Sequence, residues 1–131
     1  MLPDQKAFIE TARRDFEFTR ETRYLTGIVK LAFGDETWAL NFADGALAGI
    51  ADGRGLSDQE CKIVVEGTPD QWDELLKPKP RPFYQCIQSA AVKHGMKLSV
   101  SNETFAYLPG LNRMTTLLRD LRNGRAGHDQ A

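Results

Sequence analysis

Apolar residues first recur along this chain at helical spacing. Phe8, Ile9, Ala12 and Phe16 fall on one stripe, with Arg13, Arg14 and Glu17 off it, so residues 1–22 read as an N-terminal helix. Between Thr22 and Thr26 the period drops to two. Val29, Leu31 and Phe33 alternate with Lys30 and Ala32, and after Gly34-Asp35-Glu36 the alternation resumes with Trp38, Leu40 and Phe42. Asp44-Gly45 marks a second reversal into Ala46–Ala51, so three short-linked strands form an antiparallel meander. Asp52-Gly53-Arg54-Gly55 is loop, and Cys61, Ile63 and Val65 give a fourth strand.

Helical signals dominate the second half. Thr68 is a cap, Pro69 suits a first helical position and Asp70 complements the helix dipole, ahead of the apolar face Trp72, Leu75 and Leu76. In Lys77-Pro78-Lys79-Pro80-Arg81-Pro82 alternate residues lack an amide donor, which excludes helix and central strand and leaves a stiff extended connector. Phe83, Tyr84, Ile87, Ala90, Ala91 and His94 mark the next helix, stopped by Gly95. Met96, Leu98 and Val100 give a fifth strand, and Leu108, Leu111, Met114, Leu117, Leu118 and Leu121 a last amphipathic helix. Residues 123–131 are polar and expected to be a disordered tail.

Length and composition limit what these elements can build. A chain of 131 residues with 41% apolar content suits one core and no more. Net charge is −1, but residues 27–76 carry three basic and ten acidic side chains, whereas residues 77–131 carry nine basic and three acidic ones. The plain reading is two solvated faces of opposite sign. The sharper one is a basic face for transient contact with an anionic membrane surface or an acidic partner. Two distant cysteines, Cys61 and Cys86, specify neither a disulfide scaffold nor a metal motif, no apolar run approaches the ~20 residues of a membrane span, and no secretory leader is visible, so a cytoplasmic protein is expected. Oligomeric state is not encoded in any pattern here.

The order helix, three-strand meander, strand, two helices, strand, helix resembles the SCP-2 (sterol carrier protein 2) domain family over about residues 24–122. Local stretches carry the likeness too: Gly27-Ile28-Val29-Lys30-Leu31-Ala32-Phe33, then Trp38-Ala39-Leu40-Asn41-Phe42-Ala43-Asp44-Gly45, then Cys61-Lys62-Ile63-Val64-Val65 with Thr68-Pro69-Asp70-Gln71-Trp72, and Gly95-Met96-Lys97-Leu98-Ser99-Val100. Leu75-Leu76-Lys77-Pro78 stands where the family has leucine-leucine-x-glycine. The resemblance implies an α+β fold, a five-stranded mainly antiparallel sheet covered on one face by helices. It also implies non-covalent binding of a sterol, fatty acyl chain or similar lipid between sheet and helices, without cofactor or metal.

On that expectation Leu31, Phe33, Trp38, Leu40, Phe42, Ile63 and Val65 form one wall of a cavity, and Trp72, Leu76, Phe83, Ile87, Met114, Leu117 and Leu118 its lid. Taken singly, each such residue is more often ordinary core. No catalytic constellation stands out. His94 precedes a terminating glycine, Asp44 a turn glycine, and Ser57, Ser89, Ser99 and Ser101 lie in no nucleophile context. Gly53-Arg54-Gly55 is too short for a phosphate loop, and Trp38 and Trp72 form no aromatic-basic strip for nucleic acid. Two other classes remain open. One is a cone-like α+β enzyme acting on a steroid-like substrate, which needs Asp44 or Asp52 buried with a raised pKa. The other is an accessory subunit that docks on a partner through the Leu108–Leu121 stripe.

Overall fold

The period-2 segments pair into one mixed sheet. In the computed structural model, which describes residues 2–124, β1 (Gly27–Phe33), β2 (Glu36–Ala43), β3 (Ala46–Asp52), β4 (Ile63–Gly67) and β5 (Lys97–Leu98) lie in the order β3-β2-β1-β4-β5. β1 runs parallel to β4, and the other neighbours are antiparallel. Helices α1 (Gln5–Arg14), α2 (Phe16–Glu21), α3 (Pro69–Leu75), α4 (Ile87–His94), α5 (Asn102–Ala106) and α6 (Leu108–Arg122) complete an α+β fold.

Register decides which side chains meet. Val29 opposes Leu40 and Leu31 opposes Trp38, while Ile63 and Val65 lie beside Val29 and Leu31 across the parallel pair. One face of the sheet is therefore continuously apolar, and Phe8, Trp72, Ile87, Met114 and Leu118 from the helices fill the space above it. Each such side chain contributes roughly 1.5–3 kcal/mol when fully buried.

Turns and edges are held by specific groups. Asp44 (φ 50°) and Gly45 (φ 87°) both take the left-handed conformation that a two-residue hairpin needs, and a Cβ on Gly45 would fall 2.2 Å from the Arg23 carbonyl oxygen. The register of β2 with β3 shifts between Asn41 and Phe42. At that bulge Arg13 donates from Nε to the Leu47 carbonyl and from Nη2 to the Ala48 carbonyl, both at 3.0 Å. An exposed sheet edge is thereby occupied by a charged side chain, which blunts strand addition.

Three local expectations are corrected. The first helix breaks at Asp15, which is extended and accepts the Phe18 N–H at 2.8 Å, so a second helix starts there with a new phase. Phe16 is consequently 76% exposed and Phe18 takes the buried place. The Phe83 helix begins only at Ile87. Phe83 is half-exposed with φ 71°, Tyr84 is buried, and the Ile87 N–H is capped by Asn112 Oδ1 from α6 at 3.0 Å, a partner that local sequence does not show. β5 ends at Leu98. The Ser99 N–H still donates to the Val64 carbonyl at 2.9 Å, but Ser99 Oγ accepts the Val64 N–H at 3.0 Å in place of the reciprocal ladder bond, and Ser101 caps Thr104, starting α5 and leaving Val100 exposed. At the C-terminus, Asn123 donates to the Leu76 and Arg119 carbonyls; the rest of the expected tail, residues 125–131, lies outside the described residues.

Candidate functional site between sheet and helices

The residues expected as wall and lid are brought together, with one exception. Leu31, Phe33, Trp38, Leu40, Phe42, Ile63, Val65, Trp72, Leu76, Ile87, Met114, Leu117 and Leu118 belong to one core cluster, and Phe83 stands apart from it on the surface. The centre of this interface is filled by side chains. Phe8 and Phe33 lie against Trp38, with ring centroids 5.9 and 5.3 Å away, and Phe33 lies 4.4 Å from Trp72. Space remains at the two ends of the interface.

At one end is a small apolar seam between the sheet, α2 and α6. Val29, Leu25 and Phe42 form its floor, Phe18 and Thr22 one side, and Tyr107, Gly110, Leu111 and Met114 the other. Its volume of about 10 Å³ is room for about one water. The Thr22 hydroxyl lies 3.1 Å from the Phe18 carbonyl and 3.3 Å from the Gly45 carbonyl, both able to accept its hydrogen bond, so the lining offers an apolar surface. Gly110 lets α2 approach closely: a Cβ there would lie 3.2 Å from Thr22 Cγ2. Burial pushes the Tyr107 phenol up, with the Glu103 carboxylate adding to the shift. Phe42 and Met114 were expected at a site from the sequence. Phe18, Leu25 and Leu111 were not singled out for it, and for Phe18 the signal was Asp15 three residues earlier, an N-cap for a second helix.

At the other end, Phe33, Trp72 and Leu76 line an open cleft of about 290 Å³ together with Leu2, Pro69, Glu36, Asp73 and Arg122. Trp72 packs against Gly67, where a Cβ would meet the indole nitrogen at 2.9 Å, and its Nε1–H donates to the Ala32 carbonyl at 2.8 Å. A third groove shares Glu36 with it and is lined by the polar residues Gln5, Asp35, Glu36, Thr37, Asp52 and Arg54.

Charge is organised differently from the sequence pattern. Cations of the basic C-terminal half pair with carboxylates from the rest of the chain: Lys97 with Asp58 and Glu66, Arg122 with Asp73, and Lys77 and Arg81 with Glu74 in the acidic stretch, and Arg113 with Asp15 and Glu17 of the N-terminal segment. The two carboxylates that an enzymatic reading needs are not buried. Asp44 is exposed in its turn, and Asp52 is exposed with its carboxyl held below the usual range by the Arg54 guanidinium. Burial pushes the Cys61 thiol up, away from a reactive thiolate. The stripe offered for docking is occupied internally, since Leu111, Met114, Leu117 and Leu118 all face the core.

No protein-family model and no curated protein matches the chain. Solved structures do. A crystal structure of sterol carrier protein 2 superposes with a TM-score of 0.68 at 17% identity, covering 88% of this chain and 92% of that one. A protein of Thermus thermophilus described as possibly a sterol carrier protein gives 0.62 at 17% identity, covering 88% of this chain and 83% of the other. A ubiquinone synthesis protein, UbiJ-SCP2, gives 0.54 at 9% identity, covering 86% and 87%. The chain has the SCP-2 fold. Among the described residues, no helix is long and apolar enough to cross a membrane.

Proposed function

We propose, from an SCP-2 fold with an apolar seam at the edge of its core, that this protein binds one apolar small molecule non-covalently. A sterol, fatty acyl chain or similar lipid is the class that fits, held for transfer, storage or presentation without chemical change. The observation that carries this reading is the seam between β1, β2, α2 and α6, lined by Val29, Phe42, Leu111 and Met114 and closed down to about 10 Å³. A guest enters by parting α2 from the first turns of α6, where Gly110 is the contact. Met114 adapts to guests of differing shape because its side chain is unbranched and polarizable.

Magnitudes support modest affinity. Burying ten methylenes gains about 8 kcal/mol at ~0.8 each, against roughly 4–15 kcal/mol for association and ordering. Opening the seam adds to the cost. Exposed Lys79, Lys93 and Phe83 support brief contact with an anionic membrane during exchange, and the free thiols of Cys61 and Cys86 suit a reducing, cytoplasmic setting.

A fluorescent polyene fatty acid titrated into the protein tests this. Leu111→Ala enlarges the seam, so it should bind the probe more tightly than the parent protein while losing about 2–5 kcal/mol of unfolding free energy. Absence of saturable binding in both proteins would remove the reading.

A further inference from the structure

Internal ion pairing leaves a cationic surface around one turn of the connector between α3 and α4. Arg81-Pro82-Phe83-Tyr84 is a β-turn, closed by the Tyr84 N–H on the Arg81 carbonyl at 2.9 Å. Phe83 holds its third position with φ 71°, where glycine is the usual choice and a bulky side chain is an outlier. Asp44 is the only other non-glycine residue with positive φ among the described residues. Neighbours pin the strained turn. Gln85 Oε1 accepts the Phe83 N–H at 2.8 Å, and the His94 Nε2–H donates to the Pro82 carbonyl at 3.0 Å while its ring stacks on Tyr84 at 4.0 Å. The strain displays an apolar ring: Phe83 is 47% exposed, outside the core cluster, with Lys93 Nζ 5.2 Å from its ring centroid. Val92, next to Lys93, also points outward at 79% exposure. No acidic residue occurs between positions 75 and 102. Lys77 and Arg81 share Glu74, and Lys79 and Lys93 are exposed with no ion-pair partner among the described residues. The connector and α4 thus set four cations against one carboxylate, with two outward apolar side chains among them.

We propose that the Phe83 turn is the element by which this protein docks on an anionic bilayer, its ring entering the headgroup layer while Lys79 and Lys93 meet the lipid anions. The proposal rests on the carrier reading for its purpose, and it names the structure that meets the membrane. Phe83 lines none of the clefts described above. The apolar part of the surface is therefore a projection, which a soft headgroup layer accepts and a rigid acidic partner has to be shaped to receive. Glycine at this position relaxes the turn but removes the ring, so the strain is tied to display. The Ile87 N–H on Asn112 Oδ1 joins α4 to the stretch of α6 that carries Leu111 of the seam, so docking surface and seam share one support.

Co-sedimentation of the full chain with vesicles gives the test. One set is phosphatidylcholine alone, the other roughly three parts phosphatidylcholine to one part phosphatidylserine. Binding is expected to the mixed vesicles and to weaken with added salt. Phe83→Gly should bind them at least about threefold more weakly without lowering the urea midpoint, and Phe83→Trp should retain binding. Lys79→Glu combined with Lys93→Glu should weaken binding at least about tenfold. The polyene fatty acid in solution should bind F83G and the parent protein alike, since Phe83 is not in the seam. Vesicle binding that ignores phosphatidylserine, or that is undiminished in F83G, would overturn the proposal. So would loss of binding in F83W as well as F83G, or a lowered urea midpoint in F83G, either of which would make Phe83 a structural residue. Capture by polyglutamate without capture by vesicles would overturn it in favour of an acidic protein partner. Vesicle docking by a protein that fails to bind the fatty acid would leave this surface standing and remove the carrier reading.

Discussion

Gly45 shows how much one residue decides. Its φ of 87° is left-handed, and the Arg23 backbone occupies the place of a side chain within 2.2–2.5 Å. Gly45→Ala should therefore cost more than about 2 kcal/mol of unfolding free energy, combining backbone strain with the displacement of Arg23. Gly49, in β3, faces open space with an ordinary φ. Gly49→Ala should change stability by less than about 1 kcal/mol, and in the stabilising direction if the strand gains from lower unfolded-state entropy. Denaturant titration of the two variants checks the contrast. The Asp-Gly turn was legible in the sequence, because few residues other than glycine accept that conformation. Its packing on Arg23 was not, since the contact joins residues 22 positions apart.

Among elements, α2 shows both what pattern reading captures and where it stops. The stripe of Phe8 and Ala12 was correct, and so were the Thr68 cap and the glycine stop after His94, because each signal lies within a few residues of the element it controls. The late start of α4 and the two-residue β5 depend on partners from elsewhere, and the local cap at the Asp15 break is reinforced by one. Those are Arg113 for Asp15, Asn112 for Ile87 and Ser99 for Val64. The seam inherits this limit: Phe42 and Met114 were readable as inward residues, but Phe18 was hidden by the misphased helix. Asp15 therefore joins α2 to α6 as well as capping it. Hydrogen bonds from the Arg113 guanidinium hold its carboxyl below the usual range, despite partial burial, and the Phe18 N–H adds to the effect. A lowered native pKa gives stability that is present above the unfolded value of about 3.9 and lost as pH falls through the native one. Asp15→Ala should cost about 2–3 kcal/mol at pH 7, from a lost cap and lost charged hydrogen bonds. The difference from the parent protein should shrink as pH falls below about 4. Urea unfolding at pH 7 and pH 3 measures both.

For the whole molecule, the sequence suggested two faces of opposite charge, and the fold turns them toward each other. Lys30 and Lys97 converge on Asp58 and Glu66 across the uncovered side of the sheet, while Arg113 and Arg122 tie α6 to the N-terminal helices and to α3. Charge asymmetry along a chain thus says little about partners when the halves can pair internally. The apolar pattern was the more reliable guide to architecture. It placed the sheet face and its helical cover, yet it did not show that the centre would be filled and the ends left open, because packing density depends on side-chain shape in three dimensions.

The central claim is that the edge of this core opens to hold one apolar guest. Native mass spectrometry of freshly purified protein, followed by extraction with organic solvent, addresses it most directly. The account predicts a species heavier than 14.7 kDa by the mass of a single lipid-like molecule, which the extract then yields in near-stoichiometric amount and which Leu111→Ala retains. Protein that emerges only at its bare mass, and stays so after incubation with sterol and fatty acid, would contradict it.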